Sequence, residues 1–486
     1  MAIEKLTFGK SLTGLLDDGD AETPYAGSTL LMEEPDGPVI EVPFIQDGST
    51  GQFIAVQAWF STRTPPTNML LKSSEGDVSL FDVHWFGHSV KSGRGVSLGK
   101  LRPTEIVLAR READLSDPLL VTEVRSHVDG LSEWSGFTAI NHDTETNDKG
   151  LVKKVVVEVE SVASVEWTQG KATMTLQTDW RTANAEAPDD PSFGIYDWVV
   201  LDSKFLEPAS FFDHLVEQRK VVHLLTLLFD TAIHFRKHRV RDETFNTRLG
   251  NGKLINHPFV ELISRRTVRE YAEERPTRSD LQRPLVYLQQ VGSEGLARWA
   301  EQHEPWSRFI LPITGVLGRR GVFVEDLVVS LSMSLEAGGQ LIGKRTGEEI
   351  TYSKGGKTPR PTFATYVYRC LHSVDVNWGD HVDSIAGLAQ ASADVYNSIK
   401  HFDRGEFPDA DKTYLISIVL RQAARLMTLD IIDPTGALLK GFRESETLWR
   451  IHETFANNEL RVRDDGTWEP APRPDADPLP AGLTLG

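Results

Sequence analysis

The first half of the chain alternates hydrophobic and polar residues with a period of two. From about residue 28 to residue 203 the alternation occurs in short runs that Gly, Pro, Asp and Ser separate. The clearest runs are 39–45, 53–60, 78–86, 105–110, 119–128, 152–159 and 172–178. Such alternation is typical of β-strands with one buried face. The runs have no helical pattern between them, so they predict an antiparallel β-sandwich or a twisted pair of sheets.

After Pro208 the hydrophobic residues are spaced by three and four, which predicts helices. The first helix runs from Phe211 to about Ile233, and the others are predicted at 259–273, 279–302, 323–342, 362–374, 382–401, 411–432 and 443–457. We therefore predict an α+β multidomain fold, with a β-rich domain over 1–205 and an all-α helical bundle over 206–460. A basic loop at 344–361 is expected to be mobile, and the Pro-rich segment 461–486 is expected to be a disordered tail.

Composition limits the compartment and the chemistry. The chain has 486 residues, of which 40% are hydrophobic, so it is long enough for more than one core. Cys370 is its single cysteine, which excludes an intramolecular disulfide and a cysteine-rich zinc site and fits a reducing compartment. We find neither a signal-peptide pattern nor an apolar run long enough to cross a membrane. We therefore expect a cytoplasmic protein.

The charge is distributed unevenly. The net charge of −18 argues against a protein that coats nucleic acid, since clustered Lys and Arg carry affinity for a polyanion. Residues 1–205 carry 17 Lys and Arg against 32 Asp and Glu, whereas residues 231–270 carry nine basic and four acidic residues. The second stretch predicts a local basic surface, on which Arg265 and Arg266 are candidate RNA contacts.

Three other features have simple structural interpretations. His234 and His238 lie four apart on a predicted helix, but no third ligand is evident, so a solvated basic face is favoured over a metal site. Asp380, followed by His381, is the expected N-cap of the helix 382–401, because its carboxylate can accept hydrogen bonds from unpaired backbone N–H groups. Trp134 is expected in the core of the β-rich domain.

The helix predicted at 382–401 ends in a group of polar residues. Its apolar stripe consists of Val382, Ile385, Leu388, Ala389, Ala393, Tyr396 and Ile399. Asn397 and His401 lie one turn apart beside this stripe, next to Lys400. A histidine at a helix end often serves only to complement the helix dipole. An amide, a cation and a titrating imidazole together can also bind a phosphodiester and move a proton at a ribose 2′-OH.

These residues resemble a known family. The helix ending in Tyr-Asn-Ser-Ile-Lys-His at 396–401, followed by Phe402-Asp403-Arg404 and another long helix, is similar to HEPN domains. Those are helical bundles whose signature is an Arg, often followed by Asn, with four to six residues between the Arg and a His. The segment around Glu336 resembles the partner helix of that bundle. The β-rich half, with Leu131-Ser132-Glu133-Trp134, resembles the N-terminal domain of ApeA-type bacterial antiphage proteins.

The resemblance, which covers most of residues 5–460, implies a cytoplasmic endoribonuclease that stops growth during phage infection. It implies a metal-independent hydrolase without a cofactor, with RNA, including tRNA, as substrate and a phage component as trigger. In HEPN enzymes the ribose 2′-OH attacks the adjacent phosphate, and the site usually forms where two HEPN domains dimerise, so a homo-oligomer is expected. By this resemblance His401 transfers the proton, Asn397 orients His401 or the phosphate, and Glu336 is a supporting residue of the partner helix.

The sequence departs from the HEPN signature at one position. Tyr396 stands where the Arg is expected, so the bidentate phosphate contact of a guanidinium cannot be made from there. Lys400, Arg404, or Arg421 and Arg425 on the next helix are the candidates to supply the missing charge. The alternative is a catalytically degenerate HEPN protein that binds RNA, a nucleotide or a protein partner through the same surface.

Overall fold

The computed structural model describes residues 6–20, 26–45, 54–89, 96–161, 164–185, 192–249, 251–353, 358–401, 409–443 and 448–471. The chain divides into two compact units. The first comprises Met1–Arg219 and His234–Pro276, and the second comprises Lys220–Ile233 and Thr277–Gly486. The units do not divide at the expected boundary of residue 205, because the strands that follow residue 233 pair within the sheet of the first unit.

The first unit consists mainly of antiparallel strands. They are β1 (Ser11–Asp17), β2 (Ala26–Glu33), β3 (Gly37–Ile45), β4 (Met69–Lys72), β5 (Asp77–Ser89), β6 (Val96–Val107), β7 (Leu120–Val128), β8 (Ile140–Thr146), β9 (Val152–Val159), β10 (Ser164–Gln169), β11 (Ala172–Ala185), β12 (Ser192–Ser210), β13 (Phe235–Arg241), β14 (Thr247–Arg248), β15 (Leu254–Asn256) and β16 (Val260–Ser264). Twelve of them form one sheet in the order β10-β11-β12-β7-β13-β16-β6-β3-β2-β1-β4-β5.

Part of this sheet closes into a barrel. Strand β6 pairs with β3 along one edge and with β5 along the other, so that β6-β3-β2-β1-β4-β5 form a ring. From Glu105 onward β6 pairs with β16 instead of β3, and the remaining strands extend the sheet from there. Fully buried side chains fill the barrel, among them Leu30, Ile40, Leu71 and Leu80. The expected antiparallel β-rich domain is thereby confirmed, with twelve of its strands in one continuous sheet.

The basic stretch 231–270 contributes two strands to this sheet, and the helix predicted at 259–273 is wrong. Strands β13 and β16 pair within the sheet, β14 and β15 form a separate hairpin, and α4 (Val268–Ala272) is a short helix that follows β16. Six of its nine basic residues form ion pairs with acidic residues of the same unit: Arg236–Asp129, Lys237–Glu261, Arg239–Asp179, Arg241–Glu123, Arg266–Glu105 and Arg269–Asp36. Five of these pairs join the basic stretch to acidic residues of the N-terminal half, and the expected basic surface is largely paired.

His238 lies in the core of the sheet and not on a solvated helix face. Its ring nitrogens lie 2.7 Å from the Ser126 hydroxyl and 3.0 Å from the Thr267 hydroxyl. Burial lowers the pKa of His238 to about 3, so the imidazole is neutral. Neither His234 nor His238 belongs to a group of three or more potential metal ligands within the described residues.

Of two other predictions for the first unit, the strand at 53–60 is wrong and the core position of Trp134 is confirmed. The run 53–60, predicted as a strand, forms α1 (Ile54–Ser61), in which Val56, Trp59 and Phe60 are buried at helical spacing. Trp134 lies in the short helix α2 (Leu131–Ser135) and is completely buried, which confirms that it is a core residue.

The second unit is helical, as predicted. After α3 (Phe211–Phe229), which the two units share, its helices are α5 (Leu288–Gln302), α6 (Ser307–Leu317), α7 (Val324–Ile342), α8 (Phe363–Val374), α9 (Ile385–Lys400), α10 (Ala410–Ile432), α11 (Ala437–Arg443) and α12 (Trp449–Asn457). The pattern did not predict α6 and α11. Among the described residues, no helix is both long enough and apolar enough to cross a membrane.

Segments expected to lack order in the second unit are partly structured. Residues of the predicted tail form a hairpin of β17 (Leu460–Val462) and β18 (Trp468–Pro470), whereas 472–486 lie outside the described residues. The predicted mobile loop 344–361 contains a turn of 3-10 helix, Glu348–Thr351, and its residues 354–357 also lie outside the described residues. Glu348 is buried and its carboxylate accepts hydrogen bonds of 2.7 and 2.8 Å from Arg369, which fixes this turn.

Candidate functional site

The predicted site lies at the C-terminal end of α9. The helix begins at the N-cap Ser384, whose hydroxyl accepts a hydrogen bond of 3.1 Å from the Gly387 N–H, so the expectation that Asp380 is the cap is wrong. It ends at His401, whose backbone N–H donates to the Asn397 carbonyl at 2.9 Å. The backbone of His401 is extended, and its side chain is half-buried at the helix end.

Lys400 and Tyr396 form a pair at this helix end. The Tyr396 side chain is 7% exposed, and its ring lies 4.7 Å from the ring of Phe363 on α8. The Lys400 ammonium donates a hydrogen bond of 3.1 Å to the Tyr396 hydroxyl. This bond and, more weakly, the charge of Glu336 on α7 raise the pKa of Lys400, so the ammonium stays charged. A cation therefore lies at the tip of the side chain that replaces the expected Arg.

Asn397 faces a pocket of about 650 Å³ that contains neither Lys400 nor His401 among its described lining residues. Three carboxylates line it, those of Asp394, Asp464 and Asp465, and the described lining includes no basic side chain. Such a surface repels a phosphate. Within one chain, Asn397 thus faces this acidic pocket, whereas the Lys400 ammonium of the same helix end is not part of its described lining.

Arg421 and Arg425 have other partners. Both lie on α10, and their guanidinium groups contact Asp230 at 3.4 and 3.5 Å. Arg425 also donates hydrogen bonds of 2.8 Å to the carbonyls of Leu227 and Leu228, at the C-terminal end of α3. Arg425 therefore serves to cap a helix. Arg404, the other candidate cation, lies outside the described residues.

Arg265 and Arg266 lie in the first unit, at the end of β16, and not in the helical domain to which the sequence assigned them. Arg266 is paired with Glu105 at 3.3 Å and lies over the ring of Phe212 at 4.8 Å. Burial and the neighbouring charge of Arg102 lower the pKa of Arg265. An RNA contact by Arg266 would have to compete with its ion pair.

Sequence reasoning missed the hydrogen bond between Lys400 and Tyr396 and the stacking partner Phe363. The spacing of Tyr396 and Lys400 offered a signal, because residues four apart on a helix are neighbours on its surface. Phe363 offered none, since it comes from another helix. The described residues contain no cluster of three or more His, Cys, Asp or Glu that could hold a metal ion.

Comparison with known families identifies the N-terminal part of the chain. The family model of ApeA N-terminal domain 1 matches residues 29–292, which is more than half of the 486 residues. The chain belongs to this ApeA family. No curated protein and no solved structure matches it.

The ApeA match supports a role in antiphage defence and confirms the expected resemblance for the N-terminal domain. It includes the barrel from β2 onward, the rest of the large sheet and the beginning of α5. It ends at residue 292, before α7, α9 and α10. The HEPN assignment of the helices therefore depends on their own residues.

Proposed function

We propose that this ApeA-family protein is a HEPN-type, metal-independent ribonuclease of antiphage defence, in which the β-rich domain senses a phage component or restrains the enzyme. The observation that carries the proposal is the cation held at the Arg position of the signature. Lys400 hydrogen-bonds to Tyr396 at 3.1 Å and directly precedes His401 at the helix end. The order of an ApeA domain followed by helices supports the same assignment.

The proposed chemistry needs only these side chains and the RNA. The ribose 2′-oxygen attacks the adjacent phosphorus, and the bond between that phosphorus and the 5′-oxygen of the next nucleotide breaks. The imidazole of His401 accepts the 2′-OH proton and then delivers a proton to the leaving 5′-oxygen. Lys400 stabilises the charge that develops on the phosphate oxygens. We further propose that two copies of the helical domain form one groove, since Asn397 of a single chain faces an acidic pocket.

The second candidate is a catalytically degenerate HEPN protein that binds RNA, a nucleotide or a partner. Two observations favour it: Tyr396 replaces the Arg, and three carboxylates line the pocket beside Asn397. The two candidates differ in whether RNA is cleaved.

The first prediction concerns the products of wild-type protein. We expect RNA cleavage, including cleavage of tRNA, that persists in excess EDTA and leaves 2′,3′-cyclic phosphate and 5′-hydroxyl ends, because the 2′-OH is the nucleophile. The measurement is end analysis of RNA from phage-infected cells that express the protein, and of RNA incubated with protein purified from them. Loss of cleavage in EDTA would contradict the proposed chemistry, and intact RNA in growth-arrested cells would favour the second candidate.

A second prediction separates the contributions of Lys400 and Tyr396. We expect Lys400→Gln to lower the cleavage rate by about two orders of magnitude, as for the loss of one donor to a transition-state charge. Tyr396→Phe keeps the packing on Phe363 but removes the acceptor that positions the ammonium, so we expect a smaller loss of about tenfold. Lys412→Gln, which removes a lysine charge near the start of α10, is the matched control. Equal rates for Lys400→Gln and wild type would show that another cation serves.

A further inference from the structure

The helical unit contains a second pocket, with a volume of about 680 Å³. Residues of α10, α11 and α12, the residues before and at the start of α5, and Asp230 just after α3 line it. Ligand sites in proteins typically have volumes of about 300–1,000 Å³, so the pocket is large enough for a mononucleotide. None of the residues at the end of α9 lines it.

The pocket is basic although the protein is strongly acidic. Four arginines line it, namely Arg283, Arg421, Arg425 and Arg450, and Asp230 is the one carboxylate among its described lining residues. The chain as a whole has a net charge of −18. A concave surface with an excess of one sign of charge concentrates ligands of the opposite sign. The ligand is therefore expected to be an anion.

Three of these arginines keep donors that the fold does not use. Arg425 is committed to the carbonyls at the end of α3, whereas the Nε of Arg421 contacts Asp230 at 3.4 Å. Arg283 and Arg450 are exposed, and neither forms an ion pair within the part of the chain that the structure describes. Guanidinium groups bind phosphate through paired hydrogen bonds, so these side chains are suited to a phosphorylated ligand.

Two aromatic rings line the same pocket and are about half exposed. Tyr414 on α10 has 49% of its surface exposed, and Trp449 at the start of α12 has 52%. The Arg450 guanidinium lies 5.9 Å from the centre of the Trp449 ring. Aromatic side chains next to arginines are the usual platform on which a nucleic-acid base stacks. The pocket thus has surfaces for a base as well as for phosphates.

Asp230 supplies a further recognition group. Its Oδ2 faces Arg421 and Arg425, but its Oδ1 is buried and has no hydrogen-bond partner within the described residues. A buried carboxylate oxygen without a donor is costly in a folded protein. A ribose hydroxyl or the amino group of a base can donate to it. Phosphate alone is a poor partner for this oxygen, because its own oxygens are negatively charged and mainly acceptors.

We propose that this pocket binds a nucleotide, with its phosphates at Arg283, Arg421 and Arg450, its base against Tyr414 and Trp449, and a hydroxyl or amino group at Asp230. The proposal does not depend on the ribonuclease assignment, because it uses none of the residues around His401. A free nucleotide is favoured over an RNA chain because the recognition groups surround one pocket of mononucleotide size.

Isothermal titration calorimetry on the full chain tests the proposal with ATP, GTP, UTP, inorganic triphosphate and adenosine as separate probes. We expect at least one nucleoside triphosphate to bind at micromolar concentration, and both triphosphate and adenosine to bind at least tenfold more weakly. Arg450→Gln and Trp449→Leu are each expected to weaken nucleotide binding at least tenfold, and both side chains are exposed, so the variants should fold. Arg319→Gln, an exposed arginine after α6, is the matched control and should bind like wild type.

Four outcomes would overturn the nucleotide pocket. They are no nucleotide binding below millimolar concentration, equal binding of triphosphate and nucleotide, nucleotide binding that Arg450→Gln leaves unchanged, and binding of a single-stranded RNA oligonucleotide without binding of any mononucleotide. Because binding is measured directly, failure of the ribonuclease proposal leaves this test unaffected.

Discussion

His401→Ala is expected to reduce RNA cleavage by about 10²–10⁴-fold and to abolish the growth arrest that cleavage causes, because a positioned acid or base typically contributes that much. The alanine variant should fold. Within the described residues, the imidazole of His401 makes no hydrogen bond or ion pair, and the hydrogen bond to Asn397 uses the backbone N–H. A loss of activity would then report on proton transfer. The measurement is the single-turnover cleavage rate at equal concentrations of folded protein.

The matched control is His372→Ala. His372 is another half-buried histidine in the last turn of a helix, α8, in the same unit. We expect this variant to cleave RNA at the wild-type rate. If His401→Ala cleaves RNA as fast as His372→Ala, the site assignment is wrong. If neither variant nor wild type cleaves RNA in infected cells, the degenerate HEPN protein is the better description.

Glu348→Ala is expected to destabilise the helical unit by about 3–5 kcal/mol, the usual cost of removing one partner of a buried ion pair. The Glu348 carboxylate accepts hydrogen bonds from Arg369, from the Tyr352 hydroxyl at 2.6 Å and from the Arg345 backbone N–H at 2.8 Å. Alanine would leave the guanidinium of Arg369, which is 8% exposed, without its main acceptor. Chemical denaturation followed by circular dichroism measures the loss.

The neighbouring residue provides the control for this prediction. Glu349 pairs with Lys344 at 2.7 Å, but both side chains are more than half exposed, so Glu349→Ala should leave the stability almost unchanged. In a background of Arg369→Met, Glu348→Met should reduce the free energy of unfolding much less than Glu348→Ala does in wild type, because no buried charge is left unpaired. Equal losses for Glu348→Ala and Glu349→Ala would contradict the assigned role of the buried pair.

The same pair predicts a dependence on pH. The hydrogen bond from Arg369 lowers the pKa of Glu348 to about 2 from an ordinary value of 4.5. As the pH falls, Glu348 therefore binds a proton in the unfolded state before it does so in the folded state. The stabilisation by Glu348 is complete above about pH 4.5 and is lost as the pH falls towards 2. Glu348→Gln should consequently lose less stability than wild type over that acidic range.

Local spacing predicted well wherever a segment has a consistent period. Helices α7 to α10 begin and end within a few residues of the expected bounds, since α7, α8 and α9 each bury one apolar face and α10 is buried on most sides. The run 53–60 was mispredicted because its buried residues Val56, Trp59 and Phe60 satisfy the helical spacing better than alternation. Segment 259–273 was mispredicted because β16 is short and buried on both sides of the sheet, so its apolar residues do not alternate.

The candidate site was predicted in part. The position of Lys400 and His401 at a helix end follows from the periodicity of residues 382–401, and Tyr396 in place of Arg can be read from the sequence alone. The actual partners of the candidate cations could not be read in this way. Arg425 binds the end of α3, Arg266 binds Glu105, and Lys400 binds Tyr396, and in the first two cases the partners lie more than 150 positions apart.

The sequence by itself determined the order of a β-rich part and a helical part, the end of α9 that carries His401, and the concentration of acidic residues in the first half. These features depend on neighbouring residues, whose spacing decides which side chains share a face. Only the tertiary structure decided that residues 234–276 complete the first unit, where basic side chains of β13 pair with some of those acidic residues. The tertiary structure also decided that four arginines of the helical unit line one pocket. Such pairings join segments that are distant in the sequence. They form because the burial of apolar faces of strands and helices brings these segments together, which no local pattern records.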